Sequence, residues 1–525
     1  MGWIRRSQRP RAWRIFASLL LGLSLLLFMH ACRRFLRDLS GAVVPSVTGA
    51  QHLQSPRMIE FWTKLRTNID DLIPQIEPIK LAQKATPEDQ GVDIEIDPEH
   101  PRLDLIRLPE DSLRALRSSH DSMTFVTSIL APELPYESKT RGIVTTGGGD
   151  YFNITLISLR MLRRTGSRLP VVVFIDNDSD YDEYICEQVF RPLKAECVIL
   201  SDLLDMALPS LSLGKYQYKI FSVLFSPFQE VLFMDADAFP AHNPDKLFSS
   251  EPFKSTGMVT WPDFWASTAS PLFYDISRTE TPMLGVRKSS EAGILMYDKA
   301  RHAHDLLLAL YYNYLGPMWY YPLLSQGAEG EGDKETFLHA AMVLGAPFYD
   351  VTTPIHIMGR WANNTWHSTG MRQADPRDDW RLHQVRMRLS QTAQSRTMNE
   401  GMEDEYGETE NEDGDRTDAE LAKPLFIHCN LLKLDIGRLL SPDSELWTRN
   451  GTGVLQRIWR LDEGMLGFGY DVEEVLWEEI VLTGCDLMAA SECSRLLDIA
   501  EEILGHKLTK IIRRLERLKP FATDN

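Results

Sequence analysis

The sequence has little cysteine and lacks several motifs that would reveal a metal or nucleotide site at once. Its 525 residues contain 6 cysteines, and no two form C-x-x-C, so neither a zinc ribbon nor a thioredoxin motif is indicated. The glycine-rich loop at 145–149 matches neither G-x-x-x-x-G-K-[ST] nor G-x-G-x-x-G. A kinase-like phosphate loop and a dinucleotide-binding loop are therefore excluded there.

Positive charge is also in deficit. Lys and Arg number 56 against 74 Asp and Glu, a net charge of −18, which argues against non-specific nucleic-acid binding. A hydrophobic content of 43% excludes a disordered polymer. Residues 401–420 hold ten carboxylates and one arginine, a net −9. We predict a disordered acidic insertion at about 398–421, with calcium buffering or partner binding as the alternative.

Long apolar runs are absent except at 15–32, where 18 residues are flanked by five arginines before and three after. This pattern predicts a short signal-anchor with a cytoplasmic tail at 1–14 and a lumenal body. A thin, early secretory membrane suits its length. A cleaved signal peptide is the alternative.

Two further features agree with a lumenal body. Four sequons begin at Asn153, Asn177, Asn363 and Asn450, and Cys186 with Cys197, or Cys485 with Cys493, could pair.

The remainder predicts a stem or lead-in at 33–135 and one large domain at 136–525. Short β-prone runs at 142–146, 170–175, 196–200, 231–234 and 258–261 alternate with helical segments at 151–164, 182–193 and 216–226. This alternation indicates an α/β fold with a doubly wound, mainly parallel sheet. Ligands of such sheets bind at the carboxyl ends of the strands.

One strand end carries the strongest chemical signal. The apolar run 231–234 is followed by Asp235-Ala236-Asp237. Residues two apart in extended chain point the same way, so both carboxylates can converge on one cation. Carboxylates suit Mg²⁺ and Mn²⁺, which share their coordination with phosphate oxygens. The motif therefore predicts a metal site that serves a diphosphate leaving group.

Several motifs in order now resemble a known family. They are K-Y-Q-Y-K-I at 215–220, the D-x-D strand, G-M-V-T-W-P-D-F-W at 257–265, E-A-G at 291–293 and G-D-K-E-T-F at 332–337. Over about 141–433 the chain is similar to the fungal Golgi α-mannosyltransferases that branch mannan, both the α-1,2-transferases and their α-1,3 relatives. The acidic insertion departs from that pattern.

The resemblance implies a GT-A fold, GDP-mannose as donor, Mn²⁺ (or Mg²⁺) as cofactor, and transfer with retention to an α-mannoside, α-1,2 linkages being expected. It also implies a Golgi membrane location, with a transferase complex as a conceivable partner. His428, at a late strand end, is expected as a third metal ligand beside Asp235 and Asp237; a buried core histidine is the alternative. Asp235 would also face the nucleotide ribose.

Further roles are expected from strand ends and loops. Thr145, Gly147, Asp176, Lys219, Glu291, Gly293 and Lys433 are expected around the donor. Glycines let backbone amides approach a nucleotide, and lysines can reach phosphates, although a plain turn or a surface lysine is the competing interpretation. Asp176 begins a stretch that mimics an EF-hand loop, but Tyr181 stands where that loop needs glycine, so calcium is rejected.

Three carboxylates are candidates for the catalytic step. Asp263 lies among Trp261, Phe264 and Trp265, as sugar-binding acids often do, although core aromatics would give the same pattern. Asp333 and Glu335 occupy a glycine-bracketed loop that opens a helix, and they are expected to contact the transferred mannose or the acceptor hydroxyl. Two other functions stay open: a non-catalytic relative that binds glycans or organises a complex, and a transferase for another sugar nucleotide such as UDP-galactose.

Overall fold

The computed structural model describes residues 47–90, 101–207, 213–284, 287–328, 330, 332–362, 364–400, 421–441, 444, 449, 453–459 and 467–518. The predicted tail, the predicted anchor at 15–32 and the acidic stretch 401–420 lie outside these ranges. Within these ranges, no helix combines the length and apolar character that crossing a membrane requires. The division into tail, anchor, stem and catalytic domain therefore stays a prediction.

A seven-stranded sheet forms the centre of the described residues. Along the chain its strands are β1 (Glu137–Gly147), β2 (Val171–Ile175), β3 (Ala195–Ile199), β4 (Phe228–Met234), β6 (Met258–Ala266), β7 (Lys288–Asp298) and β8 (Tyr349–Asp350), and β5 (Ala238–Pro240) belongs to a second sheet. Their spatial order is β3-β2-β1-β4-β7-β6-β8. Neighbours pair in parallel except at β7, which runs antiparallel to both β4 and β6.

The predicted α/β fold with a doubly wound, mainly parallel sheet is confirmed. All five residues of β2 are buried, as are the last four of β4, because helices cover both faces. The amphipathic helix Phe152–Arg164 buries most of its residues, and helix Tyr218–Phe225 buries nearly all of its own. The strand ends of β1, β2 and β4 therefore meet at one edge of the sheet.

The smaller sheet is antiparallel and adjoins that edge. It adds β9 (His356–Ala362), β10 (Thr365–Ala374) and β11 (Pro424–His428), in the order β5-β11-β10-β9. Because β5 begins directly after Asp237, its pairing with β11 sets Ala238 opposite His428. This register brings a late strand end to the end of β4.

The helices fill in the two faces and the region before β1. They are Gly49–Leu53, Pro56–Asp71, Pro87–Gln90, Glu110–Leu130, Phe152–Arg164, Ser201–Ala207, Tyr218–Phe225, Phe253–Thr256, Pro271–Ser277, Lys299–Tyr314, Tyr321–Ser325, Thr336–Leu344, Pro376–Glu400, Ile436–Leu440, Val472–Leu487, Ala490–Leu504 and Thr509–Leu518. Residues expected as a stem contribute to the main core: Trp62, Leu65 and Leu116 are fully buried in one cluster with Val231 of β4.

One prediction of a helix was wrong, for an identifiable reason. The helix predicted at 182–193 is a π-helical segment Tyr184–Phe190 followed by a 3-10 turn Arg191–Leu193, since proline in that turn lacks the N–H a regular helix needs. Near the C-terminal end of the described residues, Gly505 ends helix Ala490–Leu504 in the left-handed conformation (φ 73°), before helix Thr509–Leu518 begins. Both cysteine pairs considered from the sequence form disulfides.

Candidate active site

The Asp235-Ala236-Asp237 turn joins the two sheets. The Asp235 N–H donates to the carbonyl of Gly293 on β7 at 2.8 Å, and the Ala238 N–H donates to the carbonyl of Asp235 at 3.0 Å. The Asp237 carbonyl accepts the N–H of Cys429, just beyond β11, at 3.0 Å. Backbone bonds to two strands therefore fix both aspartates in place.

His428 completes a cluster with these carboxylates. Its Nε2 lies 3.1 Å from Asp237 Oδ1 and 3.9 Å from Asp235 Oδ2. One ligand atom from each of the three residues lies within 4.8 Å of the others. The convergence that the sequence predicted for Asp235 and Asp237 thus includes the histidine.

Two lysines border the cluster on opposite sides. The Lys433 ammonium is ion-paired with Asp237 Oδ2. The Lys219 ammonium lies 3.4 Å from Asp235 and 3.2 Å from Asp333, and it donates to the carbonyl of Ala292 at 2.8 Å. Lys219 therefore links the cluster to the loop that carries Asp333.

Burial and charge shift the pKa values of these groups in opposite directions. Burial raises the pKa of Asp333 to about 6, and the nearby charge of Asp235 adds to it, against the opposing charge of Lys219. Burial also raises the pKa of Asp235, although Lys219 and His428 oppose the change. For Asp237 burial acts in the same direction, but the charges of His428 and Lys433 outweigh it and lower its pKa. Asp235 and Asp333 are therefore harder to ionise than Asp237, which two positive groups hold in its charged form.

A cavity of about 470 Å³ opens on this cluster. Its lining comes from the ends of β1 and β2, from the turn after β4 and from the helix that begins at Tyr218. The lining residues are Thr146, Gly147, Gly148, Tyr151, Phe174, Ile175, Asp176, Asp180, Leu200, Leu213, Gly214, Tyr218, Asp235, Ala236, Asp237 and Lys433. The cavity thus lies at the carboxyl edge of the sheet, where ligands of α/β folds bind.

The residues of the cluster fit a divalent cation. Two carboxylates and an imidazole are suitable ligands, and the surrounding acids Glu291 and Asp333 leave excess negative charge for a cation to neutralise. The second carboxylate oxygen of Glu291 is buried without a hydrogen-bond partner among the described residues. A carboxylate left in this state is costly in a purely structural role.

Comparison with known proteins identifies the relatives of the chain. A family model described as mannosyltransferase matches residues 140–285 and 280–375. The α-1,2-mannosyltransferase MNN21 of Candida albicans is 30% identical over 461 residues, which cover 76% of this chain and 66% of that protein. The α-1,2-mannosyltransferase MNN2 of Saccharomyces cerevisiae is 34% identical over 306 residues, which cover 51% of each chain. The chain belongs to the fungal mannosyltransferase family.

The matched part of these relatives is limited. This chain spans 66% of the length of MNN21 and 51% of the length of the Saccharomyces MNN2. Among solved structures, the glycosyltransferase GlyE of Streptococcus pneumoniae has a TM-score of 0.27 and 14% identity, over 40% of this chain and 45% of that one. The galactosyltransferase LgtC also scores 0.27, at 11% identity, over 40% and 73%. These scores are too low for residue roles to be transferred.

The residues expected to bind the donor in this member of the mannosyltransferase family fall into two groups, those that line the cavity and those that do not. Gly147, Asp176, Asp235 and Lys433 line the cavity. Thr145 does not, because side chains alternate along β1 and the neighbouring Thr146 faces the cavity instead. Lys219, Glu291 and Gly293 are likewise outside the lining; Lys219 contacts Asp235, and Glu291 contacts His428.

The three carboxylates expected in catalysis are dispersed. Asp333 is tied to the cluster through Lys219. Glu335 is bound by Arg287 at 3.2 Å, by His339 at 3.0 Å and by the N–H of Ser290 at 2.7 Å. Asp263 is ion-paired with Lys334 at 3.0 Å. Of the three, only Asp333 shares a partner with the D-x-D motif in the described structure.

Sequence reasoning missed part of the cavity wall. Tyr151 and Asp180 line it, and so does Tyr218, whose hydroxyl donates to the Leu213 carbonyl at 3.2 Å and whose pKa is raised by burial and by the nearby carboxyl of Asp176. Tyr218 precedes Lys219 on the helix before β4, so the two side chains point in different directions around that helix. The signal in the sequence that could have indicated Tyr218 is a polar tyrosine at the start of a buried helix.

Proposed function

We propose that the chain transfers mannose from GDP-mannose to an α-mannoside acceptor, with retention of configuration and formation of α-1,2 linkages. The observation that carries this proposal is the Asp235–Asp237–His428 cluster at the mouth of a nucleotide-sized cavity. It occurs in a chain of the fungal mannosyltransferase family, whose matched members are named α-1,2-mannosyltransferases.

The cavity would hold the nucleotide of the donor. Asp176, near the carboxyl end of β2, and Tyr218, which lines the same cavity, offer polar groups for the base or ribose. Gly148 has a φ of 106°, and a Cβ there would lie 2.8 Å from Ile175, so glycine keeps this wall of the cavity open. Lys433 lies where a diphosphate would approach Asp237.

Asp235, Asp237 and His428 would hold Mn²⁺ (or Mg²⁺). When bound, such a cation neutralises the charge that develops on a departing diphosphate. Lys433 adds a second positive charge at the same place, and Lys219 holds Asp235 from behind. The protein's own part is to fix these groups in advance, since preorganised charges need no rearrangement during the reaction.

Asp333 is the carboxylate that we propose for contact with the transferred mannose. Its raised pKa of about 6 reflects burial beside other acids, as is common at reaction centres. The bond from the anomeric carbon to the diphosphate would break as the new glycosidic bond forms, and the acceptor hydroxyl would give its proton to the departing diphosphate oxygen. Catalytic roles for Glu335 and Asp263 stay predictions.

A neighbouring cavity of about 790 Å³ is our proposed acceptor site. It shares Gly214 with the donor cavity, and its lining includes Lys84, Tyr216 and Tyr321. Tyrosine rings cover the apolar faces of sugars while their hydroxyls reach polar groups. Tyr321 lies close enough to Asp333 for that charge to raise its pKa, after the larger effect of burial.

We further propose a single-pass type II protein of the Golgi membrane, with residues 15–32 as anchor and the catalytic part lumenal. The run of arginines before residue 15 and the fungal mannosyltransferase relatives support this location. Association with other transferases in a Golgi complex belongs to the same proposal.

The test is to purify the full-length chain and incubate it with GDP-mannose, Mn²⁺ and α-mannobiose. We expect transfer, and we expect Asp237→Ala to lower kcat by at least ~10²-fold, because a central electrostatic contact is lost. Asp498→Ala is the matched control, since Asp498 is an exposed acid on helix Ala490–Leu504. Full activity of Asp237→Ala would contradict the metal assignment. No transfer to any mannoside would favour a non-catalytic relative, and transfer from UDP-galactose would point to another donor.

A further inference from the structure

Glu291 and Gly293 lie two residues apart on β7, and both face the ring of His428. Glu291 Oε1 accepts the N–H of Gly293 and lies 3.3 Å from His428 Nδ1. Residues two apart in a strand point to the same side. The strand therefore presents a carboxylate and, next to it, a position without a side chain to the same imidazole.

Glycine at 293 is required by the position of that ring. A Cβ at this residue would lie 2.4 Å from Cε1 and 2.7 Å from Nδ1 of His428, too close for any side chain. On β10, a Cβ at Gly370 would lie 2.5 Å from the His428 carbonyl oxygen. Two glycines, one on β7 of the large sheet and one on β10 of the small sheet, thus leave the space in which His428 sits.

The two ring nitrogens of His428 face different carboxylates. Nε2 lies 3.1 Å from Asp237, on the cluster side, whereas Nδ1 lies 3.3 Å from Glu291. A neutral imidazole has one N–H and one lone pair. Nε2 can offer its lone pair to a cation only when Nδ1 carries the proton. Nδ1 is buried and has no hydrogen-bond partner among the described residues, and the carboxylate that faces it, at 3.3 Å, is that of Glu291.

Glu291 is also separated from the donor cavity. Asp235 and Asp237 line that cavity, and Glu291 does not, because the histidine ring stands beside it. We propose that Glu291 is a positioning residue, which holds the Nδ1–H of His428 so that Nε2 faces the cation site, and that Gly293 makes room for this arrangement. This inference rests on the cation site of the proposed function and replaces the expectation that Glu291 contacts the donor sugar.

The test measures Mn²⁺ affinity of the full-length chain without donor, by electron paramagnetic resonance of the free ion. We expect Glu291→Gln to weaken Mn²⁺ binding by roughly 10- to 100-fold, as loss of such partners commonly does. Glutamine matches the size of glutamate but lacks its charge, and its amide can donate to Nδ1 and favour the wrong tautomer. Glu291→Asp keeps the charge, loses the reach, and should weaken binding similarly.

A double-mutant cycle separates positioning from general damage. In a His428→Ala background, Glu291→Gln should cause no further loss of Mn²⁺ affinity, because its effect passes through the histidine. The affinity for GDP in the presence of a chelator should be unchanged by Glu291→Gln. Circular dichroism and the Tm check folding of each variant, and Glu291→Asp serves where Glu291→Gln does not fold.

Three outcomes would overturn the inference. They are an unchanged Mn²⁺ affinity in both Glu291 variants, an equal loss in the His428→Ala background, and weaker chelator-resistant GDP binding, which would show a direct donor contact. Asp237→Ala distinguishes this failure from failure of the proposed function. If Asp237→Ala binds Mn²⁺ as tightly as the unaltered chain, the cation site is wrong and the role of Glu291 falls with it. If only Asp237→Ala loses Mn²⁺, the site stands and the positioning role alone is refuted.

Discussion

Asp379 and the carboxylates around the D-x-D turn are all largely buried, but they differ in the partners that neutralise or hydrogen-bond them. Asp379 accepts hydrogen bonds from the Tyr349 hydroxyl and from the backbone and hydroxyl groups of Thr352 and Thr353, at 2.6 to 3.0 Å. Asp235, Asp237, Glu291 and Asp333 instead share Lys219, Lys433 and His428. Burial alone therefore does not mark a functional acid; shared and incomplete neutralisation does.

The largest effect on stability should come from substituting Asp379, because both of its carboxylate oxygens accept hydrogen bonds. We expect Asp379→Ala to lower the free energy of unfolding by roughly 3–5 kcal/mol, because several buried donors lose their acceptor together. Urea unfolding at pH 7 measures this. Asp121→Ala, which removes an exposed partner of Arg278, is the control and should leave stability nearly unchanged. A small loss for Asp379→Ala would erase the contrast between the two kinds of acid.

Asp333→Asn should change the free energy of unfolding in the opposite direction, by raising it. Its folded-state pKa of about 6 lies above the ordinary value of 3.8, so the ionised form is disfavoured in the fold and stability is lost as pH rises from 3.8 through 6. Removing the charge should therefore raise the free energy of unfolding by up to about 3 kcal/mol at pH 7, while transfer activity falls. A variant that is both less stable and fully active would show that Asp333 is an ordinary structural acid.

His120, in the helical core, should make stability depend on pH in the opposite direction from Asp333, with a smaller effect. Burial lowers the pKa of His120 to about 4, and its Nε2 lies 2.8 Å from the Tyr312 hydroxyl. The unfolded chain binds the proton first, so stability is lost as pH falls from 6.5 to 4, the reverse of the Asp333 slope. Between pH 7 and pH 5, the stability lead of the unaltered chain over His120→Phe should shrink by about 2 kcal/mol. Urea unfolding at both pH values checks this, and a constant lead would mean that His120 does not titrate differently in the fold.

The fold and the first half of the site could be predicted because their signals are local. Apolar runs alternate with amphipathic segments, and one run ends in Asp235 and Asp237. His428 also ends an apolar run, but 191 residues separate it from Asp237, and local periodicity contains nothing about which strands pair. The family resemblance supplied that expectation.

Other roles depend on packing that no local pattern specifies. Thr145 and Thr146 are chemically alike, and only the direction of alternation along β1 decides that Thr146 meets the cavity. Asp333 and Glu335 lie in one loop, yet the first pairs with Lys219 and the second with Arg287, because a helix begins at Thr336 and turns the two side chains apart. Glu291 lies beside His428, which belongs to a strand distant in the sequence, so no local pattern could indicate that contact.

The pairing of β5 with β11 bears on how readily the connection between β10 and β11 can accept insertions. Residues 375–423 connect β10 to β11, and the acidic stretch 401–420 falls within this connection. Closing a flexible connection costs only about 0.6 kcal/mol more for each doubling of its length. An insertion between these strands can therefore lengthen or change in composition while β11 still returns to β5. The register that sets His428 opposite Ala238 therefore does not depend on the length of this connection.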